Sequence, residues 1–169
     1  MNHILGIGGL LVIIFSLVLV VDISGIKKFE GLVSMWGMVL AYSSTLSATV
    51  LSLIYSEIFG FIPCGLCWIE RILLYPQVIL IGVAVFIKDI SMPVYGIVLS
   101  SFGLIVSLYH HYLQMGGNEF IPCPASGAGS DCLKRFFFEF NFMTFPLLST
   151  ILFVFLIVLY TYILKTNKN

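Results

Sequence analysis

Apolar residues run along this chain in long blocks broken by short polar intervals. The blocks are Ile4 to Val21, Leu32 to Tyr55, Ile72 to Ile87 with the Trp68 turn added, Met92 to Leu113, and Thr144 to Leu164. A hydrocarbon layer about 30 Å thick takes roughly 20 apolar residues of helix to cross. Inside it the backbone must satisfy its own hydrogen bonds, which a helix does within one segment. Each block therefore predicts a membrane-crossing helix. The first has the length of a signal segment, but it lacks a basic n-region and a small-x-small cleavage site before Asp22, so an uncleaved helix is expected. The second carries Ser44, Ala48 and Ser52 at four-residue spacing, a stripe expected to pack closely against a neighbour.

The intervals between blocks predict an orientation. Lys27, Lys28, Lys88, Lys165 and Lys168 fall on one side of five alternating helices, which the positive-inside rule makes cytoplasmic. The opposite side receives the 57–67 connection and the long 114–143 loop. All four cysteines are in these two segments, on the side where disulfides form and persist.

Composition agrees with the pattern: of 169 residues, 60% are hydrophobic and only 9% charged, against about 25% charged in a soluble domain. The expected fold is a single all-α integral membrane domain over 1–169, with no soluble domain and no internal repeat. Lys and Arg balance Asp and Glu at eight each, so charge gives no reason to expect a nucleic-acid partner.

The chemistry concentrates in Pro63-Cys64-Gly65-Leu66-Cys67-Trp68-Ile69-Glu70-Arg71. Pro63 suits a first helical turn, which would set Cys64 and Cys67 at the positive end of a helix dipole, where thiolates are favoured. Arg71 shares a face with Cys67. A charge at that depth suggests function, against the plainer readings of a snorkelling anchor or an ion pair with Glu57 or Glu70. Pro76 is expected to kink the helix. Tyr109-His110-His111-Tyr112 ends the fourth block at the same surface, where interfacial hydrogen bonding is the plain reading of either histidine. Cys123 and Cys132 flank a Gly- and Ser-rich stretch expected to be mobile. The Phe-rich segment from Leu133 to Phe142 fits a position on the membrane surface.

Three readings compete for the cysteines. A structural zinc site would leave Arg71 unexplained and needs an unusual spacing between Cys123 and Cys132. Inert disulfides in a non-enzymatic membrane protein fit poorly with a Cys-x-x-Cys pair on a helix. Thiol–disulfide exchange fits best. It needs an electron exit, and with no haem, flavin or nicotinamide motif present, a lipid-soluble oxidant is the simplest one. Arg71, with His111 as a weaker candidate, could stabilise negative charge on it.

The run from Cys64 to Pro76 closely resembles the motif of the DsbB family of disulfide bond formation proteins, with Trp68 and Tyr75-Pro76 similar to its BdbC branch. Phe142-Met143-Thr144-Phe145-Pro146 and Tyr109-His110-His111 resemble the start of that family's last helix and its third core helix. The resemblance covers about Leu32 to Leu164. It implies an antiparallel four-helix bundle core over 32–164, with 4–21 as an additional N-terminal transmembrane helix. It also implies a quinone-dependent oxidase, using ubiquinone or menaquinone, of a thioredoxin-like thiol oxidase of the DsbA or BdbD type. By position, redox disulfides Cys64–Cys67 and Cys123–Cys132 are implied, with no metal. Cys123 would form the mixed disulfide with the partner, Cys132 would exchange with Cys64, and Cys67 would face the quinone beside Arg71. The vitamin K epoxide reductase-like group also relays electrons between thiols and quinones, but there the Cys-x-x-Cys motif follows the loop pair, whereas here it precedes it.

Overall fold

The computed structural model describes residues 2–23, 29–120, 123, 132–133, 135, 138, 140 and 142–167, with side chains from residue 6 onward. It contains five α-helices: α1 (Asn2–Val21), α2 (Glu30–Leu53), α3 (Gly65–Ile87), α4 (Met92–Gln114) and α5 (Phe145–Thr166). A π turn, Ile54–Ile58, continues α2. Helices α2 to α5 are long and apolar enough to cross a membrane, with the π turn counted in α2, and the apolar run Gly6–Val21 of α1 is shorter. The predicted blocks thus match the helices, and α3 begins at Gly65, two residues after the Pro63 start that the motif suggests.

The helices α2, α3, α4 and α5 close a ring in which each packs on the next and α5 returns to α2. Short connections make α2, α3 and α4 antiparallel in turn, and the pairing of Gly96 with Tyr160 and of Gly103 with Phe153 sets α5 antiparallel to α4. The start of α3, the end of α4 and the start of α5 therefore share one end of the bundle, and both cysteine pairs lie there. The other end is pinned by buried Asp22. Its carboxylate accepts hydrogen bonds from the Phe29 N–H at 3.0 Å and from the Tyr162 hydroxyl. Lys165 Nζ donates to the Ile23 carbonyl at 2.8 Å. These bonds tie the end of α1 to the end of α5, and Phe15 packs on Phe155 along the seam. The added helix is docked on the core, parallel to α5.

Lipid supplies no hydrophobic drive between helices, so close approach and internal polar bonds must hold them. Helix α4 offers Gly96, Ser100, Gly103 and Ser107 on its buried face. Tyr160 lies over Gly96 and Phe153 over Gly103, where an added Cβ would come within 2.5 and 2.4 Å of the rings. Ser100 and Tyr160 both donate to buried Gln77 Oε1, at 3.3 and 3.1 Å. Gln77 Nε2 donates to the Leu73 carbonyl at 3.0 Å, beside Pro76 in the interior of α3. Thr150 donates to Ser107 at 2.9 Å. On α2 the buried face is Val33, Gly37, Ala41 and Thr45, one position away from the predicted Ser44–Ala48–Ser52 stripe. That stripe is half-buried and its last member serves Arg71, as described below.

This packing predicts that Gly103→Ala destabilises the bundle by about 1–3 kcal/mol through overpacking against Phe153. A lowered apparent Tm in detergent would show it. Gly8→Ala, whose Cβ meets nothing within 4 Å among the described residues, should not lower Tm.

Candidate active site

Cys64 is the N-cap of α3, with extended backbone and Sγ accepting the Cys67 N–H at 3.3 Å. This is the bond a serine cap makes, and it fixes the helix start: Cys64 terminates the chain's extended approach, and Pro63 lies before the cap, not inside the first turn. The Cys67 sulfur lies 2.9 Å from that of Cys64, and both are free thiols. Cys123 and Cys132 form a disulfide with Cα atoms 6.2 Å apart. Residues 124–131, expected to be mobile, lie outside the described residues. So does part of the Phe-rich segment, whose described members Leu133, Arg135, Phe138, Phe140 and Phe142 are exposed.

The two pairs meet. Cys64, at 3% exposure, and Cys132, at 1%, belong to one apolar cluster with Leu66 and Leu113. Cys67 and Cys123 pack against this cluster but are only half-buried. Each pair thus has one sulfur inside the cluster and one at its edge.

His110 is also in this site. Its Nε2 lies 3.5 Å from Cys64 Sγ, and its Nδ1–H donates to Glu70 Oε1 at 2.8 Å. All three groups are buried. A nucleophile, a base and an orienting carboxylate in hydrogen-bond sequence are the parts of an activated thiol. Cys64, just ahead of the α3 span, is pulled down to about 4 by the hydrogen bond from Cys67 and then by His110, against the upward push of burial. Above that pH it is a thiolate.

The partners of Glu70 and Arg71 leave out one of the plainer readings, an ion pair between the two. Glu70 pairs with His110, not with Arg71. Arg71 reaches the opposite way, to α2: its Nε donates to Ser52 Oγ at 3.1 Å and its Nη2 to the Ser52 carbonyl at 3.0 Å. Tyr75 donates to the same hydroxyl at 3.3 Å, and the guanidinium lies 5.4 Å from the Trp68 ring. His111, the residue singled out from the sequence, faces α5, with Nδ1 2.8 Å from Thr144 Oγ1. Thr144 caps α5 by accepting the Leu147 N–H. The structure thus puts His110, not His111, at the thiols. A signal for this was present: the small residues of α4 recur at steps of four and three from Gly96 through Ser107, and the next step is His110.

A family model, "Disulfide bond formation protein DsbB", matches residues 33–163. A "Probable disulfide formation protein" of Oceanobacillus iheyensis is 36% identical over 140 residues, covering 82% of this chain and 92% of its own. "Disulfide bond formation protein C" of Bacillus subtilis is 35% identical over 137 residues, 78% of this chain and 96% of its own. The "SPbeta prophage-derived disulfide bond formation protein B" of the same species is 40% identical over 105 residues, 62% of this chain and 70% of its own. No solved structure matches significantly. With four helices long enough to span a membrane and two cysteine pairs at one end, this chain belongs to the DsbB family, multi-pass bacterial membrane proteins of disulfide bond formation.

Proposed function

We propose that the protein reoxidises a thioredoxin-like thiol oxidase of the DsbA or BdbD type on the extracytoplasmic side and passes the electrons to a membrane quinone. The observation that carries this reading is the single cluster holding Cys64 and Cys132, with Cys123 and Cys67 at its two edges. The basic residues of the polar intervals support the orientation.

The exchange is balanced at each sulfur. A partner thiolate attacks Cys123 Sγ, forming a mixed disulfide and releasing Cys132 as thiolate. Cys132 attacks Cys64 Sγ, opening Cys64–Cys67 and leaving Cys67 as thiolate. The partner's second thiol then resolves the mixed disulfide, and the freed Cys123 recaptures Cys132. Cys64 departs in that step, and its low pKa makes it a good leaving group. Cys64–Cys67 closes again as two electrons leave, and the two protons of the partner dithiol leave with them.

A membrane quinone, ubiquinone or menaquinone, supplies when bound the acceptor for those electrons and protons. The residues present fit such a group. Half-buried Cys67 and Arg71 share a face of α3 beside exposed Trp68 and Ile72. Among the described residues the guanidinium spends only Nε and Nη2 on Ser52, which leaves Nη1 to donate to a carbonyl oxygen. Glu70 holds the His110 ring with its Nε2 toward Cys64.

The test is anaerobic incubation of reduced partner with the purified protein and quinone. One quinol is expected per partner disulfide formed. A partner that stays reduced, or one oxidised with no loss of quinone, would sink the proposal. Alkylation of free thiols should show all four cysteines turning over, and four sulfurs that stay oxidised throughout would point to inert disulfides.

A further inference from the structure

The Cys64, Cys67 and His110 cluster has a second chemical capacity. The two sulfurs and one His110 ring nitrogen all lie within 4.8 Å of one another, and Nε2 is the nitrogen that faces the thiols. We infer that the reduced site binds one divalent d10 cation of the zinc and cadmium kind, held by Cys64 Sγ, Cys67 Sγ and His110 Nε2.

Tetrahedral zinc with Zn–S near 2.3 Å and Zn–N near 2.0–2.1 Å sets its ligand atoms about 3.5 Å apart for S and N and about 3.8 Å apart for S and S. The Cys64 Sγ to His110 Nε2 distance is 3.5 Å already. The sulfurs, at 2.9 Å, need to part by a little under 1 Å, which a side-chain rotation of half-buried Cys67 provides. The support around the ligands is also in place. Glu70 takes the Nδ1–H of His110 at 2.8 Å, the carboxylate–histidine arrangement that fixes the tautomer and raises ligand basicity. Gln114 Nε2 lies 3.4 Å from His110 Nε2, so that nitrogen presents its lone pair. The Cys67 N–H already donates to Cys64 Sγ.

Charge favours the same class of ion. Two thiolates and a divalent cation sum to zero at the ligands, and binding releases the thiol proton of Cys67. Thiolate and imidazole select zinc-like ions over magnesium or calcium. Three protein ligands leave one position open, unlike a closed structural site. The Cys64–Cys67 disulfide offers no thiolate, so binding is confined to the reduced state. The consequence for turnover, a block on electron flow through Cys64 and Cys67, rests on the function proposed above. The binding itself does not.

The test uses reduced, quinone-free protein carrying Cys123→Ala and Cys132→Ala, titrated with cadmium and read by its thiolate charge-transfer absorption. One cadmium per chain is expected, and none after oxidation by diamide. His110→Ala should weaken binding at least tenfold, and Glu70→Gln about 10–100-fold. A saturable band unchanged in His110→Ala would reduce the site to a plain dithiol and overturn the inference, as would equal binding by the oxidised protein. Against misfolding of the variants, cadmium must also protect Cys64 and Cys67 from alkylation in the otherwise unaltered chain, and undiminished alkylation at saturating cadmium overturns it too. Cadmium that binds but leaves partner-driven turnover intact would keep the site and count against the proposed electron path.

Discussion

Replacing His110 with alanine is expected to slow partner-driven turnover by about 10²–10⁴-fold, the range that a positioned acid–base group contributes. The effect acts through Cys64. Hydrogen bonding from Cys67 and the facing His110 hold its pKa down to about 4 while burial pushes it up. Without His110 the burial remains and one of the opposing groups is gone, so the pKa rises toward the ordinary thiol range. A depressed pKa keeps the thiolate above that pH and loses it as pH falls through it. The alkylation rate of Cys64, measured in reduced protein lacking Cys123 and Cys132, should therefore be nearly level from about pH 5 upward. In His110→Ala the thiolate should be lost at a higher pH, with reactivity at neutral pH reduced and recovered on raising the pH. Glu70→Gln should shift the profile in the same direction but less, because the imidazole stays and only its orienting carboxylate is lost. A merely structural role would lower Tm and leave the alkylation profile in place. An unmoved profile in His110→Ala would remove His110 from the mechanism.

The fold was legible because bilayer length is a strong constraint. Block boundaries drawn from apolarity alone fall close to the helix ends, and Lys88, in left-handed conformation at the end of α3, marks the tight connection to α4. What apolarity could not give was rotation about each axis. In a membrane the apolar face looks outward as well as inward, so a hydrophobic stripe does not identify the packed side. Small residues do so better. On α4, the packed residues Gly96, Ser100, Gly103 and Ser107 face α5 and lead on to His110, one residue and about 100° away from His111. On α2 the same logic was blurred by an excess of small residues, and Gly37, Ala41 and Thr45 won over Ser44 and Ala48. The start of α3 was set by a local bond, Cys67 N–H to Cys64 Sγ, which no apolar count contains. The motif itself made the four cysteines and Arg71 visible. Glu70 was visible as a charge in an apolar run, but its partner lies 40 residues on, where only the fold can bring it.

Arg71→Ala is expected to raise the KM for quinone by about 10–100-fold, the loss that follows from removing a charge-assisted hydrogen bond to a carbonyl oxygen of the bound quinone. The first exchange, from reduced partner to Cys123, should keep its rate, because Arg71 faces α2 and the Trp68 ring while Cys123 packs on the cluster around Leu66 and Leu113. The bonds to Ser52 raise a competing explanation, in which Arg71 only ties α3 to α2. Ser52→Ala separates the two. It removes the hydroxyl that accepts from Arg71 Nε and Tyr75 but leaves the guanidinium and its bond to the Ser52 carbonyl. If Arg71 serves the quinone, Ser52→Ala lowers Tm and moves the KM far less than Arg71→Ala does. If Arg71 is a tie, the two variants behave alike, and both lose the exchange at Cys123 in step with quinone use. Stopped-flow measurement of the two half-reactions, partner oxidation with quinone absent and quinol formation from pre-reduced protein, resolves them. Arg71→His retains a donor on a shorter side chain and should fall between wild type and alanine in KM, with the Cys123 exchange again unchanged.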